Sequence, residues 1–221
     1  MKRITLLCIF CIVCIGCVGS KPIPNWTYSG FNNLEGFKTN YLTGQEKIAE
    51  MYFQKATEEI KKSGKLKLLA MAYLTRYAIE VAVLEEFNDS HYLRIDAADS
   101  DPQNRSYYLL LKGKTARLNE TDIPKQYRSL LKAIQMGNEA AWADETNKIN
   151  DPVSKLIAIG IITRYYAADE AVLNIAIETA SRNGWKKALL VYLEKLRLLY
   201  EAKGIHEKAR KIQQQIQLIN H

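Results

Sequence analysis

The residues with the greatest chemical capacity crowd the start of the chain. Cys8, Cys11, Cys14 and Cys17 are its four cysteines, spaced C-x2-C-x2-C-x2-C. Four thiolates at such spacing suit an iron–sulfur cluster when a loop wraps it. Here they alternate with Ile, Phe and Val, so the first three read as small hydrophobes. His91, His206 and His221 are far apart, and no His-x3-His or Cys/His spacing points to zinc. Asp96, Asp99 and Asp101 lack the glycine and distal Glu of a calcium loop, with Leu110 where that Glu belongs. Asp101 is expected to cap a helix and the other two to be solvated. No Gly-rich phosphate loop, nucleophile elbow or dinucleotide fingerprint occurs. Glu58-Glu59 and Glu85-Glu86 are adjacent pairs, pointing about 100° apart on a helix, so neither readily shares a substrate. A single Glu working in a sugar-cleaving cleft stays open. The expectation is therefore no catalytic residue, no metal and no cofactor.

Arg76 and Arg164 are the other residues with chemical reach. Each lies in Thr-Arg-Tyr inside a strongly apolar segment. Burying a guanidinium unpaired costs several kcal/mol, so each needs a partner. Glu80, four residues beyond Arg76, is correctly placed on a helix. Asp169 and Glu170 lie near Arg164 at less suitable spacing. One reading is two internal ion pairs that fix helix register. The other is a groove in which Arg76, Arg164, Tyr77 and Tyr165 hold a carboxylate or phosphate of a partner.

These residues sit in a chain of 221, with 48% hydrophobic and 25% charged residues. That is a globular composition and excludes disorder and collagen-like structure. Eleven Gly and five Pro are too few for the turns of a sandwich or barrel. Two positive charges at Lys2 and Arg3 precede an apolar run, Ile4–Ile15, too short to span a bilayer. This is the pattern of a signal peptide, assigned to residues 1–16. Cys14-Ile15-Gly16-Cys17 resembles the bacterial lipobox, with Cys14 where Leu is usual. The resemblance implies acylation of Cys17 and attachment to a membrane of the cell envelope and, if the source is Gram-negative, Val18 in the next position implies the outer membrane, facing the periplasm. Residues 17–42, rich in Pro, Gly and Asn, are expected to be a tether whose end docks through Trp26, Tyr28 and Phe31. Residues 17–181 carry 20 Lys/Arg against 21 Asp/Glu, whereas 182–221 carry 9 against 3. That basic end reads as a solvated helix face, open to an anionic surface or acidic partner.

Residues 43–221 read as a helical domain. Ile48, Met51, Tyr52, Ala56 and Ile60 form a helical stripe. Lys65–Phe87 and Val153–Ala168 are apolar nearly all round and should be central. Asn88–Asp101 reads as a polar loop. Asp101-Pro102 and Asp151-Pro152 pair an N-cap with proline at the first helical position, and Asp169 should cap the next helix. Gly113, Gly137, Gly184 and Gly204 are stops. Lys67–Tyr77 matches Lys155–Tyr165 at an offset of 88, which suggests related halves at about 43–113 and 122–221.

Gly44-x4-Ala49-x3-Phe53-x2-Ala56 resembles the second helix of a tetratricopeptide repeat, and Leu196-x3-Tyr200-x3-Gly204-x4-Ala209 the join of its two helices. No 34-residue period links them, and Leu193, Arg197 and Gln213 depart from the pattern, so the repeats are degenerate. The resemblance implies an all-α stack of antiparallel helical hairpins that docks a protein or peptide without catalysis. The expected partners are the membrane, through the lipid, and an envelope protein or peptide, with no nucleic acid. The alternative is a helical small-ligand or glycan-binding domain, with an enzyme acting on envelope glycan among its forms.

Overall fold

The structure, a computed structural model, describes residues 24–220. The signal segment, Cys17 and the first part of the expected tether lie outside them. The described residues form eleven α-helices and three single 3-10 turns, with no strand. The all-α class is thus as expected. No described helix is long and apolar enough to cross a membrane.

The expected tether over residues 17–42 is not extended along its length. Residues 25–43 are not a spacer but helix α1 (Asn25–Thr43), with Gly30, Leu34, Phe37 and Leu42 buried. Gly44, at φ 92°, ends it in the left-handed conformation, and the Gln45 N–H closes back on the Asn40 carbonyl. Helix α2 (Glu46–Lys61) returns antiparallel, since Gly30 lies against Ile60 and Gly36 against Tyr52. A Cβ at these glycines would come within 2.9 Å of Ile60 and 2.7 Å of the Tyr52 ring. The glycines that made this stretch look like a loop are the points of closest helix approach. Phe37, fully buried, contributes about 2 kcal/mol by the area it removes from water.

Helix α3 (Leu66–Ala82) has Tyr77 to Ala82 buried without interruption. Helix α8, described below, matches it, and the two cross at the centre of the molecule. Between them, Asn88–Asp101 departs from the expected loop. Ser90–Ala98 is helix α4, pinned by the buried ring of Tyr92, whose backbone N–H donates to the Tyr77 hydroxyl. Helix α5 (Pro102–Leu111) starts as expected, with Asp101 Oδ1 accepting from the Asn104 N–H at 2.9 Å. Two short helices follow, α6 (Arg128–Gln135) and α7 (Trp142–Asn147).

Helix α8 (Pro152–Tyr165) starts where Asp151 Oδ2 accepts from the Ser154 N–H, and buries Leu156 to Ile162 in an unbroken run. Helix α9 (Glu170–Arg182) is capped by Asp169 through the Val172 N–H. Helices α10 (Lys186–Ala202) and α11 (His206–Asn220) form the last hairpin around Gly204. Helix α10 also packs on α1, at the opposite end of the sequence. The Tyr192 hydroxyl, fully buried, donates to the Ala82 carbonyl at 2.8 Å. These contacts join elements far apart in sequence, so an open stack in which each hairpin touches only its neighbours does not describe the molecule.

Ala49 lies on the buried stripe of α2, with Phe53, Ala56 and Ile60. Ala49→Trp is expected to overpack it and lower stability by about 3 kcal/mol, read as a shift in the urea midpoint. An unchanged midpoint would contradict the packing of this hairpin.

Candidate functional site

A cleft of about 410 Å³ runs between α2, α3 and the start of α4. Helix α2 contributes Glu50, Phe53, Gln54, Glu58 and Lys61. Helix α3 contributes Tyr73, Arg76, Tyr77 and Glu80 from the face turned toward α2. Asn88 and His91 close the far side. The cleft is neither sealed nor flat.

Arg76 organises it. Its Nε donates to Glu80 Oε1 at 3.0 Å and its Nη1 to Glu50 Oε2 at 2.9 Å, while its guanidinium carbon lies 4.9 Å from the centre of the Phe53 ring. Glu80 is the buried partner, its side chain 9% exposed. Its second oxygen, Oε2, is buried and has no hydrogen-bond partner in the protein. Burial pushes the Glu80 carboxyl above its ordinary value, and the Arg76 hydrogen bond and charge only partly offset this. Arg76 is pulled down by burial but held above its ordinary value by Glu80 and Glu50. The Tyr73 ring stacks on His91, planes 3° apart and centroids 4.9 Å apart, and gives the cleft a flat aromatic wall.

The four residues singled out by sequence have separate fates. Arg76 lines the cleft, paired with Glu80 as its spacing predicts. Tyr77 is a core residue at the cleft floor, stacked on Phe87 at 4.9 Å, and burial raises its hydroxyl to about 12. Arg164 lines neither this cleft nor the second one described below. Its side chain is 10% exposed, its Nη1 donates to the Glu85 carbonyl, and its Nη2 meets Glu86 at 2.6 Å. It braces the turn after α3, where Leu84 holds a positive φ of 60°. Its partners are Glu85 and Glu86, not the nearby Asp169 or Glu170. Tyr165 lies over Gly113, and its hydroxyl donates to the Leu111 carbonyl at 3.1 Å. The structure therefore does not bring the two arginines into one groove.

Sequence reading missed Glu50, Tyr73 and His91. Glu50 is 26 residues from Arg76, and His91 sits on a helix read as a loop, so no local spacing ties them to the site. Asp96, expected to be solvated, instead accepts from Tyr92, Ser100 and Arg105. A second cleft, about 380 Å³ and bounded by Met71, Leu74, Tyr107 and Ile123, is more apolar. Its polar Asn104 is already used, donating to the Lys67 carbonyl at 3.0 Å. Among the described residues, no three acidic or histidine side chains converge as a metal site would require. Set against known protein families, curated proteins and solved structures, the chain matches none.

Proposed function

We propose that the chain is an envelope lipoprotein, acylated at Cys17, whose helical domain docks a segment of another envelope protein or a peptide in the α2–α3 cleft, without catalysis. In this reading the hairpins are degenerate tetratricopeptide-like units, and the lipid holds the domain at a membrane of the envelope, which in a Gram-negative source is the outer membrane, with the domain facing the periplasm. The observation that carries the docking site is Glu80, which lines the cleft and whose buried Oε2 has no hydrogen-bond partner in the protein. A buried acceptor without a donor costs about 1–3 kcal/mol, which an incoming N–H recovers. A peptide backbone or a basic side chain supplies such a donor, and Glu50 and Glu58 at the rim favour positive charge. The open side of the cleft admits an extended segment.

A second reading rests on the Tyr73–His91 pair. A flat aromatic wall beside carboxylates also suits a sugar, whose apolar face stacks and whose hydroxyls donate. The two readings separate in one experiment. A photo-crosslinking residue at Gln54, exposed at the cleft rim, is expected to capture a discrete envelope protein in living cells. Glu58→Lys should reduce that adduct at least fivefold, by reversing charge at the rim. Labelling of glycan alone, with no protein adduct, supports the second reading. In the same strains, Cys17→Ser should abolish lipid labelling and release the protein from the membrane. Persistent lipid on Cys17→Ser overturns the anchor.

A further inference from the structure

We infer that one end of the domain, formed by the start of α1 and the α2–α3 turn, rests on an anionic lipid surface. The inference depends on the proposed anchor at Cys17 and adds to it an orientation and a contact surface.

The placement follows from the antiparallel α1–α2 pair. Gly30 lies against Ile60, so the first turns of α1 lie beside the turn that follows Lys61. Two kinds of side chain meet there. Tyr28 is 72% exposed and Phe31 40%, three residues apart and therefore on one face, with Trp26 half-buried beside them in sequence. Opposite them, Lys61, Lys62 and Lys65 are exposed, with Leu66 beside them. Lys62 meets Glu59 at 2.6 Å, and the neighbouring Lys67 meets Asp101 at 2.6 Å. Lys61 and Lys65 form no ion pair among the described residues. From Val18 to Leu34 the chain has no Asp or Glu.

Water gives exposed Tyr and Phe rings beside lysines no favourable apolar contact. A membrane interface does: aromatic rings sit at headgroup depth, and lysines near an anionic leaflet are attracted to it over about a Debye length. The chain length agrees. Asn25 follows Cys17 by eight residues, which reach about 28 Å at most when extended. An acylated Cys17 thus keeps the start of α1 within that distance of the bilayer, and α1 is the element that carries the aromatics. A lipid surface is the occupant that charge, aromatic character and tether length select together.

The test uses the full mature protein, purified from membranes and reconstituted in vesicles. The vesicles are phosphatidylcholine alone, or phosphatidylcholine with phosphatidylglycerol, each with or without a nitroxide-labelled lipid near headgroup depth. Trp142 and Trp185 are buried, so Trp26 is the tryptophan within reach of the quencher, and Trp26→Phe supplies the background. With phosphatidylglycerol, Trp26 emission is expected to shift to the blue and to lose about half its intensity to the nitroxide. Combined Lys61→Glu, Lys62→Glu and Lys65→Glu should restore most of that intensity, and Tyr28→Ser with Phe31→Ser should weaken the shift. Mass spectrometry of Cys17 runs alongside. Acylated Cys17 with unquenched Trp26 overturns this inference and leaves the anchor standing. Unmodified Cys17 overturns both. Shielding of Trp26 that follows protein density, not lipid charge, assigns the surface to a protein partner and overturns the inference as well.

Discussion

Gly160→Ala is expected to lower the stability of the domain by about 3 kcal/mol or more, the largest effect of any single added methyl. The direction runs against helix propensity, by which alanine inside a helix gains about 1 kcal/mol over glycine. The reason is the crossing of α3 and α8. A Cβ at Gly160 would lie 2.3 Å from the Val81 carbonyl oxygen, 2.9 Å from the Val81 carbonyl carbon and 3.1 Å from the Ala82 Cα. All three are backbone atoms, so no rotamer change relieves the clash. The helices must separate, and both are buried along the contact. Gly184→Ala is the control: it strains a left-handed turn at φ 67° but meets nothing within 4 Å, and should cost about 1 kcal/mol. Urea midpoints of the two variants read the difference. Equal midpoints would mean that the helices do not meet backbone to backbone.

Arg76→Met is expected to cost about 3 kcal/mol at neutral pH, because it strands the Glu80 carboxylate. Glu80→Leu added to it should recover most of the loss, since no buried charge then remains. Arg76 keeps Glu50 as a second partner, so Glu80→Leu alone should be milder than Arg76→Met. The loss also depends on pH, with a definite sign. Burial places the folded Glu80 carboxyl above its ordinary value of 4.5. A carboxyl raised in this way favours the folded state below its unfolded value and loses that contribution as pH rises through its folded value. Removing Arg76 removes the charge that opposes the shift. The stability gap between the native chain and Arg76→Met should therefore be smallest near pH 4 and widen toward neutrality. A gap independent of pH would mean that Glu80 is not the group stranded.

The parts of this fold that were legible in the sequence are those fixed by local chemistry. Asp101-Pro102, Asp151-Pro152 and Asp169 each cap the helix they were expected to cap, because the cap bond spans only three residues. The central position of α3 and α8 followed from apolar residues all round each helix. The pairing of Arg76 with Glu80 followed from one helical turn. Helix α1 was not legible, because Pro22, Pro24 and the Gly and Asn content signal a loop when read alone. Gly30 and Gly36 acquire their meaning only when Ile60 and Tyr52 arrive from α2. Helix α4 was hidden for a related reason: its polar residues outnumber the one buried ring, Tyr92, that holds it. The cleft draws its acids from α2 and α3 and its aromatic wall from α3 and α4, so its geometry arises from packing.

Lys187 carries a consequence for how the domain comes apart. Its Nζ lies 2.7 Å from both Glu46 and Glu85 and 4.1 Å from the centre of the Tyr41 ring, while Tyr41 donates to Glu85. One lysine from α10 thus ties together α1, the start of α2 and the turn after α3. Arrays of hairpins unravel from their ends, each unit melting nearly independently of the next. Here the first helix is fastened to the tenth, so α1 is not a free end at which melting can begin. Heating should yield a single sharp heat-absorption peak, and the slowest-exchanging amides of α1 and α10 should share one opening rate.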